Sequence, residues 1–257
     1  HMRHAAAGIM GTSAIVGGNP PHAVGYALAD KMLGRDQVSV AFFGDGAAQN
    51  GASYEAMNIA AAQGVPTIFF IENNLYGVAT RLTEITRESR ISSRGAMFGI
   101  PSIEVDGMDV VAVHNAMAEA RRIIADEGGP VVIEALLYRH FHQSGSRKGS
   151  DFGYRPTEEE AEWLARDPVT TTAARLREMG ILSAEHLARI DSAVTGRVAA
   201  AAAKLTETVP GGNALRIPDA LWPDPASRDV GILGDLSELA DSRIVDHADR
   251  AGRPTER

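Results

Sequence analysis

Asp45 lies between two glycines, Gly44 and Gly46, where the apolar run Val38–Phe43 stops abruptly. Asn74 follows 29 positions later, where a second apolar run, Pro66–Ile71, ends on Glu72-Asn73-Asn74. A carboxylate and a carboxamide are hard oxygen donors that suit Mg2+, a cation that usually shares its ligands with phosphate. Gly46 and Ala47 add little bulk, so their backbone N–H groups can face an anion at the start of a helix. The local chemistry is a diphosphate held by a metal. Bland and rival readings stand beside it. A Gly-Asp-Gly by itself is commonly only a turn. Gly44-x-Gly46-x-x-Gln49 lacks the third glycine of a dinucleotide fingerprint. Asp45 beside a pyrophosphate is unfavourable unless a cation lies between them. No Gly-Lys-Ser/Thr phosphate loop occurs.

These side chains need elements that hold them. The run Val38–Phe43, an alanine-rich segment over Gly51–Ala62 and the run Pro66–Ile71 read as strand, helix, strand, one unit of a parallel sheet. Both donors then fall just past the carboxyl ends of strands, where ligands sit in open α/β sheets.

The whole stretch Phe42–Thr80 resembles the thiamine diphosphate motif, a Gly-Asp-Gly followed at a set interval by Asn-Asn. More narrowly it resembles the alpha subunit of the decarboxylating component of 2-oxo acid dehydrogenase complexes, the pyruvate, branched-chain and acetoin enzymes. Glu55-Ala56, Asn58, Ala60, Pro66, Glu72 and Tyr76-Gly77 fit that family too. The resemblance implies an α/β thiamine diphosphate-binding fold, a parallel sheet with helices on both faces, plus C-terminal helices. It implies Mg2+ ligation by Asp45, Asn74 and the backbone carbonyl of Tyr76. Cofactor contacts follow along Gly44, Asp45, Gly46 and Ala47, and an aminopyrimidine ring is seated by main-chain groups at Ala14 and Val16. Read from residues alone, the glycines at 17 and 18 mark a loop whose backbone can approach a neighbour closely.

The loop Tyr138–Arg155 is long, polar and glycine-rich and follows an apolar strand. A similar family loop begins and ends on Tyr-Arg and carries a Gly-His-Ser, whose histidine stabilises charge on the substrate carboxylate. Ungapped alignment puts Gln143 at that histidine, with His142 beside it. Either His142 takes the role after a one-residue shift, or Gln143 replaces it as a neutral donor. Histidines in polar loops are otherwise mostly solvated, and His140 is the weaker candidate.

No counterpart of the glutamate that activates the aminopyrimidine stands out, and Glu55 reads as structural. The resemblance assigns that glutamate to a beta subunit in an α2β2 assembly, with the acyl unit of a 2-oxo acid passed to a lipoyl acyltransferase or other carrier protein. Family alpha subunits also carry a longer N-terminal part, with Tyr and Arg contacts to the diphosphate. Two further readings remain: a transketolase-like subunit moving a two-carbon ketol unit from a ketose, and a non-catalytic alpha-like binding subunit.

At 257 residues, with 44% hydrophobic and 23% charged residues, the chain suits one large α/β domain. The absence of cysteine excludes disulfides, thiolate metal sites and cysteine nucleophiles. It suits a cytoplasmic setting. A net charge of −8 argues against a nucleic-acid surface. No apolar run reaches the roughly 18 residues that span a membrane.

Residues 1–22 read as a small-residue loop. Pro20-Pro21 open a helix to about Met32 that can bury Ala23, Leu28, Met32 and Leu33. Residues 80–99 read as a surface loop. A strand and turn at 103–107, an Asp109-capped helix to about Ala125 and a strand at 130–137 follow. Thr157 and Glu160 predict a capping box for a helix over 157–166. Helices near 169–179 and 183–207 complete a domain over 1–209. Residues 210–257 read as a proline-bearing connector and polar tail, with a short helix near 235–240.

Overall fold

The computed structural model describes residues 2–212 and 215–221, which fall into two compact units divided after Ser183. The sequence reading placed that boundary at 209/210. No residue of the long helix Ala184–Leu205 is buried.

In the first unit, α1 (Asn19–Met32) carries proline in its first turn and buries Pro20, Ala23, Val24 and Ala27. Met32 and Leu33 stay exposed, against expectation, because the helix ends there and turns away from the core. Strand β1 (Ser39–Gly44) leads through a one-turn 3-10 segment, Ala47–Gln49, to α2 (Gly51–Gln63). Asn50 caps α2, its side chain accepting from the Ala52 N–H at 2.9 Å. Strand β2 (Thr67–Asn73), a two-residue hairpin β3 (Tyr76–Gly77) and β4 (Thr80–Arg81), and a short α3 (Leu82–Ile85) follow. Then come β5 (Ser102–Asp106), α4 (Val110–Glu127), β6 (Val131–Leu136), α5 (Thr157–Leu164) and α6 (Pro168–Glu178). Asp109 caps α4 by accepting from Val111 and Ala112, as its position predicts.

The strands form one parallel sheet in the order β1-β2-β6-β5. All four therefore end on the same edge, at Gly44, Asn73, Leu136 and Asp106. One face packs Ala41, Phe43, Phe69 and Ile71 against α1 and α2. The other packs Ile68, Phe70 and Ile133 against Ala120, Ile123 and Ile124 of α4. Helices on both faces are what the nearly continuous apolar runs of β2 and β6 require. Each fully buried Ile or Phe contributes about 1.5–3 kcal/mol relative to exposure.

Two local expectations are corrected. Residues 80–99 are not a solvated loop. They form the hairpin, α3 and a 3-10 segment, Ile91–Phe98, with Ile91, Ser92, Arg94 and Gly95 buried. Gly95 permits this, since a Cβ there would lie 2.6 Å from Ser102 Oγ. Polar residues that read as solvated are spent on internal bonds, as described below. The second correction concerns α5. Pro156 occupies the N-cap without a side-chain bond, and Glu160 instead accepts from the amide and hydroxyl of Ser150. Two bonds from Ser150 outweigh the single reciprocal bond of a capping box.

The second unit holds α7 (Ala184–Leu205), a two-residue hairpin β7 (Glu207–Thr208) and β8 (Leu215–Arg216), and a 3-10 turn, Asp219–Leu221. The helix expected near 235–240 lies outside the described residues.

Candidate metal and diphosphate site

Two turns meet on the carboxyl edge of the sheet. The first follows β1 and carries Asp45, which is 1% exposed. The second follows β2 and carries Asn74. They touch through their glycines: a Cβ on Gly46 would sit 3.4 Å from the Gly77 Cα, in close van der Waals contact. Burial pushes the Asp45 carboxyl above its ordinary range. The backbone amides of Asp45, Gly46 and Asn74 and the Arg139 guanidinium pull the other way, which places the Asn74 backbone at the Asp45 carboxylate.

Neither group is fully satisfied among the described residues. Asp45 Oδ2 and Asn74 Oδ1 are both buried and have no hydrogen-bond partner. An unpartnered buried acceptor costs about 1–3 kcal/mol, and here two lie on turns that follow neighbouring strands. A hard cation accepts this donor pair. Among the described residues no group of three or more His, Cys, Asp or Glu could hold a metal, so any cation here needs the carboxamide and further oxygens.

The turn backbone is constrained. Leu75 and Val78 both hold positive φ, 71° and 58°. For a β-branched residue such as Val78 this is a true outlier. Arg139 donates to the Val78 carbonyl at 2.8 Å, and Leu82 N–H to the Leu75 carbonyl at 2.8 Å. Gly44 closes β1. Gly46 and Ala47 open only the one-turn 3-10 segment, since α2 starts at Gly51. The sequence reading had them opening the long helix; the Asn50 cap delays its start.

The segment carrying Ala14 and Val16 is tied to the same end of β1. Asn50 Nδ2 donates to the Val16 carbonyl at 2.9 Å, and Asn19 Nδ2 to the Phe42 carbonyl at 3.3 Å. The side chains of Ala14 and Val16 are exposed. Gly17 holds φ +85° with Asn50 against it, a close approach the glycine pair predicts, though to protein.

The loop after β6 closes beside Tyr76. Its hydroxyl donates to Glu159 Oε1 at 2.8 Å, and the Tyr138 hydroxyl donates to the same oxygen at 2.9 Å. Arg81 bridges the Tyr76 hydroxyl at 2.8 Å and Glu159 Oε2 at 2.9 Å. Burial pushes the Tyr76 phenol up to about 12 and raises Tyr138 as well. Burial also raises Glu159, but the Tyr76, Tyr138 and Arg81 bonds outweigh it and hold that carboxyl below its ordinary range. Arg155 is buried with its guanidinium 4.5 Å from the Tyr138 ring, 4.6 Å from Tyr76 and 5.3 Å from Tyr154.

His142 belongs to this packing and Gln143 does not. The His142 ring lies 4.5 Å from Phe152 and 5.7 Å from Tyr154, with Nδ1 3.1 Å from the Tyr154 hydroxyl. Tyr154 in turn packs 5.8 Å from Tyr76. Gln143 is exposed. His140 faces away toward α6, 3.1 Å from Asp167.

A profile of the dehydrogenase E1 component family matches residues 1–210. The chain belongs to that family. A pyruvate dehydrogenase E1 component subunit alpha of Rhizobium meliloti is 38% identical over 190 residues, covering 74% of this chain and 54% of that protein. A Staphylococcus aureus protein of the same name is 38% identical over 169 residues, 65% of this chain and 45% of its own length. The bovine mitochondrial 2-oxoisovalerate dehydrogenase subunit alpha is 41% identical over 161 residues, 62% of this chain and 35% of that one. The chain thus spans about half the length, or less, of these relatives.

Sequence reasoning missed Glu134, Arg94, Glu159 and Arg155. Glu134 had a signal, being the one charge in a strand that otherwise reads as wholly apolar. Glu159 hides in the acidic run Glu158-Glu159-Glu160, and no pattern distinguishes it from a solvated face.

Proposed function

We propose that this chain is the thiamine diphosphate- and Mg2+-binding alpha component of a heteromeric enzyme that decarboxylates a 2-oxo acid. Asp45, Asn74 and the Tyr76 carbonyl hold the metal, and the turn from Gly44 to Ala47 meets the diphosphate. One observation carries the reading: two buried oxygens, one from each turn, have no partner among the described residues. When bound, thiamine diphosphate supplies the nucleophilic carbon and the electron sink for breaking the carboxylate bond. The chain's own residues bind and orient. Asp45 is held where a cation lowers the cost of its charge. Arg139 offsets that charge from the side and pins the strained carbonyl of Val78. The Tyr76–Glu159–Arg81 contacts fix the loop, so that the ring of His142, oriented by Tyr154, lies ready to donate to a substrate carboxylate.

Family membership supports this reading over ketol transfer. The activating glutamate comes from a beta subunit, in an α2β2 assembly, and the acyl unit passes to a lipoyl acyltransferase or similar carrier. The chain works in the cytoplasm; among the described residues no helix is long and apolar enough to cross a membrane. Calorimetric titration of thiamine diphosphate with Mg2+ tests the core of the proposal. The unsubstituted chain, paired with a beta-type subunit, binds, and Asp45→Ala loses the Mg2+-dependent part. Unchanged affinity in that variant removes the metal assignment.

A further inference from the structure

Glu134 is fully buried in β6, and both of its carboxylate oxygens are used. Oε1 accepts from Asn73 Nδ2 at 2.7 Å, and Oε2 accepts from the Ser92 N–H at 2.6 Å. Asn73 Oδ1 in turn accepts from the Leu75 N–H at 3.1 Å. Leu75 holds φ 71°, backbone that a leucine adopts only when its surroundings impose it. Asn74, one of the two orphaned donors, lies between them. Ser92 opens the buried 3-10 segment whose Arg94 donates to the Ala48 carbonyl at 3.0 Å, in the turn that follows Asp45. Glu134 therefore reaches one donor turn through Asn73 and the other through Ser92 and Arg94.

We propose that Glu134 is a positioning residue of the metal site, a buried brace that sets the aim of Asn74 Oδ1 through Asn73 and the left-handed turn at Leu75. The inference rests on reading those turns as a metal site. The group must be a carboxylate because both of its oxygens face N–H donors. Glutamine has nearly the same shape but places an NH2 against Asn73 or Ser92, so one bond is lost and two donors confront each other. Leu75 then relaxes toward ordinary backbone, and Asn74, which precedes it, loses the aim that the turn gives its side chain.

The test uses the full chain in two measurements. In hydrogen exchange without added metal, Glu134→Gln speeds exchange across residues 73–82 about tenfold and leaves α1 and α4 as they were. In Mn2+ titration with thiamine diphosphate, the same variant binds about 10–100-fold more weakly, the usual loss when a residue that orients a metal ligand is removed. Adding Asn73→Ala to Glu134→Gln changes neither reading further, because both act through one link. Unchanged exchange over 73–82, a rise spread evenly through the sheet, or additive effects in the double variant would overturn the brace. Should Glu134→Gln fail to fold, Asn73→Ala alone decides, and retained protection over 73–82 then overturns it. If the unsubstituted chain, paired with a beta-type subunit, takes up no Mn2+, the proposed function falls, while the exchange measurement still judges the brace.

Discussion

Asp45 and Glu134 are both buried carboxylates on the same edge of the same sheet, yet they are partnered in opposite ways. Glu134 has an N–H donor on each oxygen. Asp45 keeps one oxygen with none among the described residues, as does Asn74 on the turn that follows the neighbouring strand. A buried polar group left without a partner is a cost the fold carries. Carrying it at Asp45, while meeting every need of Glu134 a few residues away, separates a group reserved for something outside the chain from one spent inside it.

That contrast is broken most sharply by deleting each carboxylate in the metal-free chain. Glu134→Ala strands two buried donors and destabilises by about 1–3 kcal/mol for each. Asp45→Asn removes a buried charge one of whose oxygens has no partner among the described residues, and stability moves the other way, a gain of about 1–3 kcal/mol. Denaturant midpoints of the two variants beside the unsubstituted chain check this, and a loss of stability in Asp45→Asn would erase the distinction.

Glu159 sharpens the contrast away from the turns, where a carboxylate is satisfied and only partly exposed. Its carboxyl is held below the ordinary value of 4.5. The stability it adds is therefore present above that value and is lost as pH falls through its lower folded value. Glu159→Gln costs about 1 kcal/mol at neutral pH, and its unfolding loses part of the acid dependence seen in the unsubstituted chain. The smallest effect is at the alkaline end. Tyr76, shifted to about 12, stays neutral when ordinary tyrosines ionise. Its contribution is full below pH 10 and fades as pH climbs toward that value, so the alkaline absorbance titration of Tyr76→Phe differs from that of the unsubstituted chain only in its last phase.

The site was legible where chemistry coincides with a strand end. Asp45 and Asn74 each follow an apolar run, and parallel pairing of β1 with β2 brings the run ends together. The alternation of runs and helical segments likewise gave the sheet and its flanking helices. What stayed hidden depends on contacts distant in sequence. Ser92 and Arg94 look like loop residues until Glu134, 42 positions from Ser92, is folded onto them. The capping-box reading of Thr157 failed for the same reason, because Ser150 competes for Glu160 from outside the helix.

Gly149 lies flat against the buried stem of Arg155, with no space for a Cβ. The loop that includes His142 is therefore anchored near its far end by an absence of side chain, and Arg147 accepts the His142 N–H and lies over the Phe152 ring, while the residues from Gln143 to Ser146 are exposed. Insertions and charge changes are absorbed in that stretch without disturbing the tyrosine ring around Arg155. Kin of this chain are free to re-tune the mouth of the site there, and any that replace the glycine at 149 must rebuild the anchor.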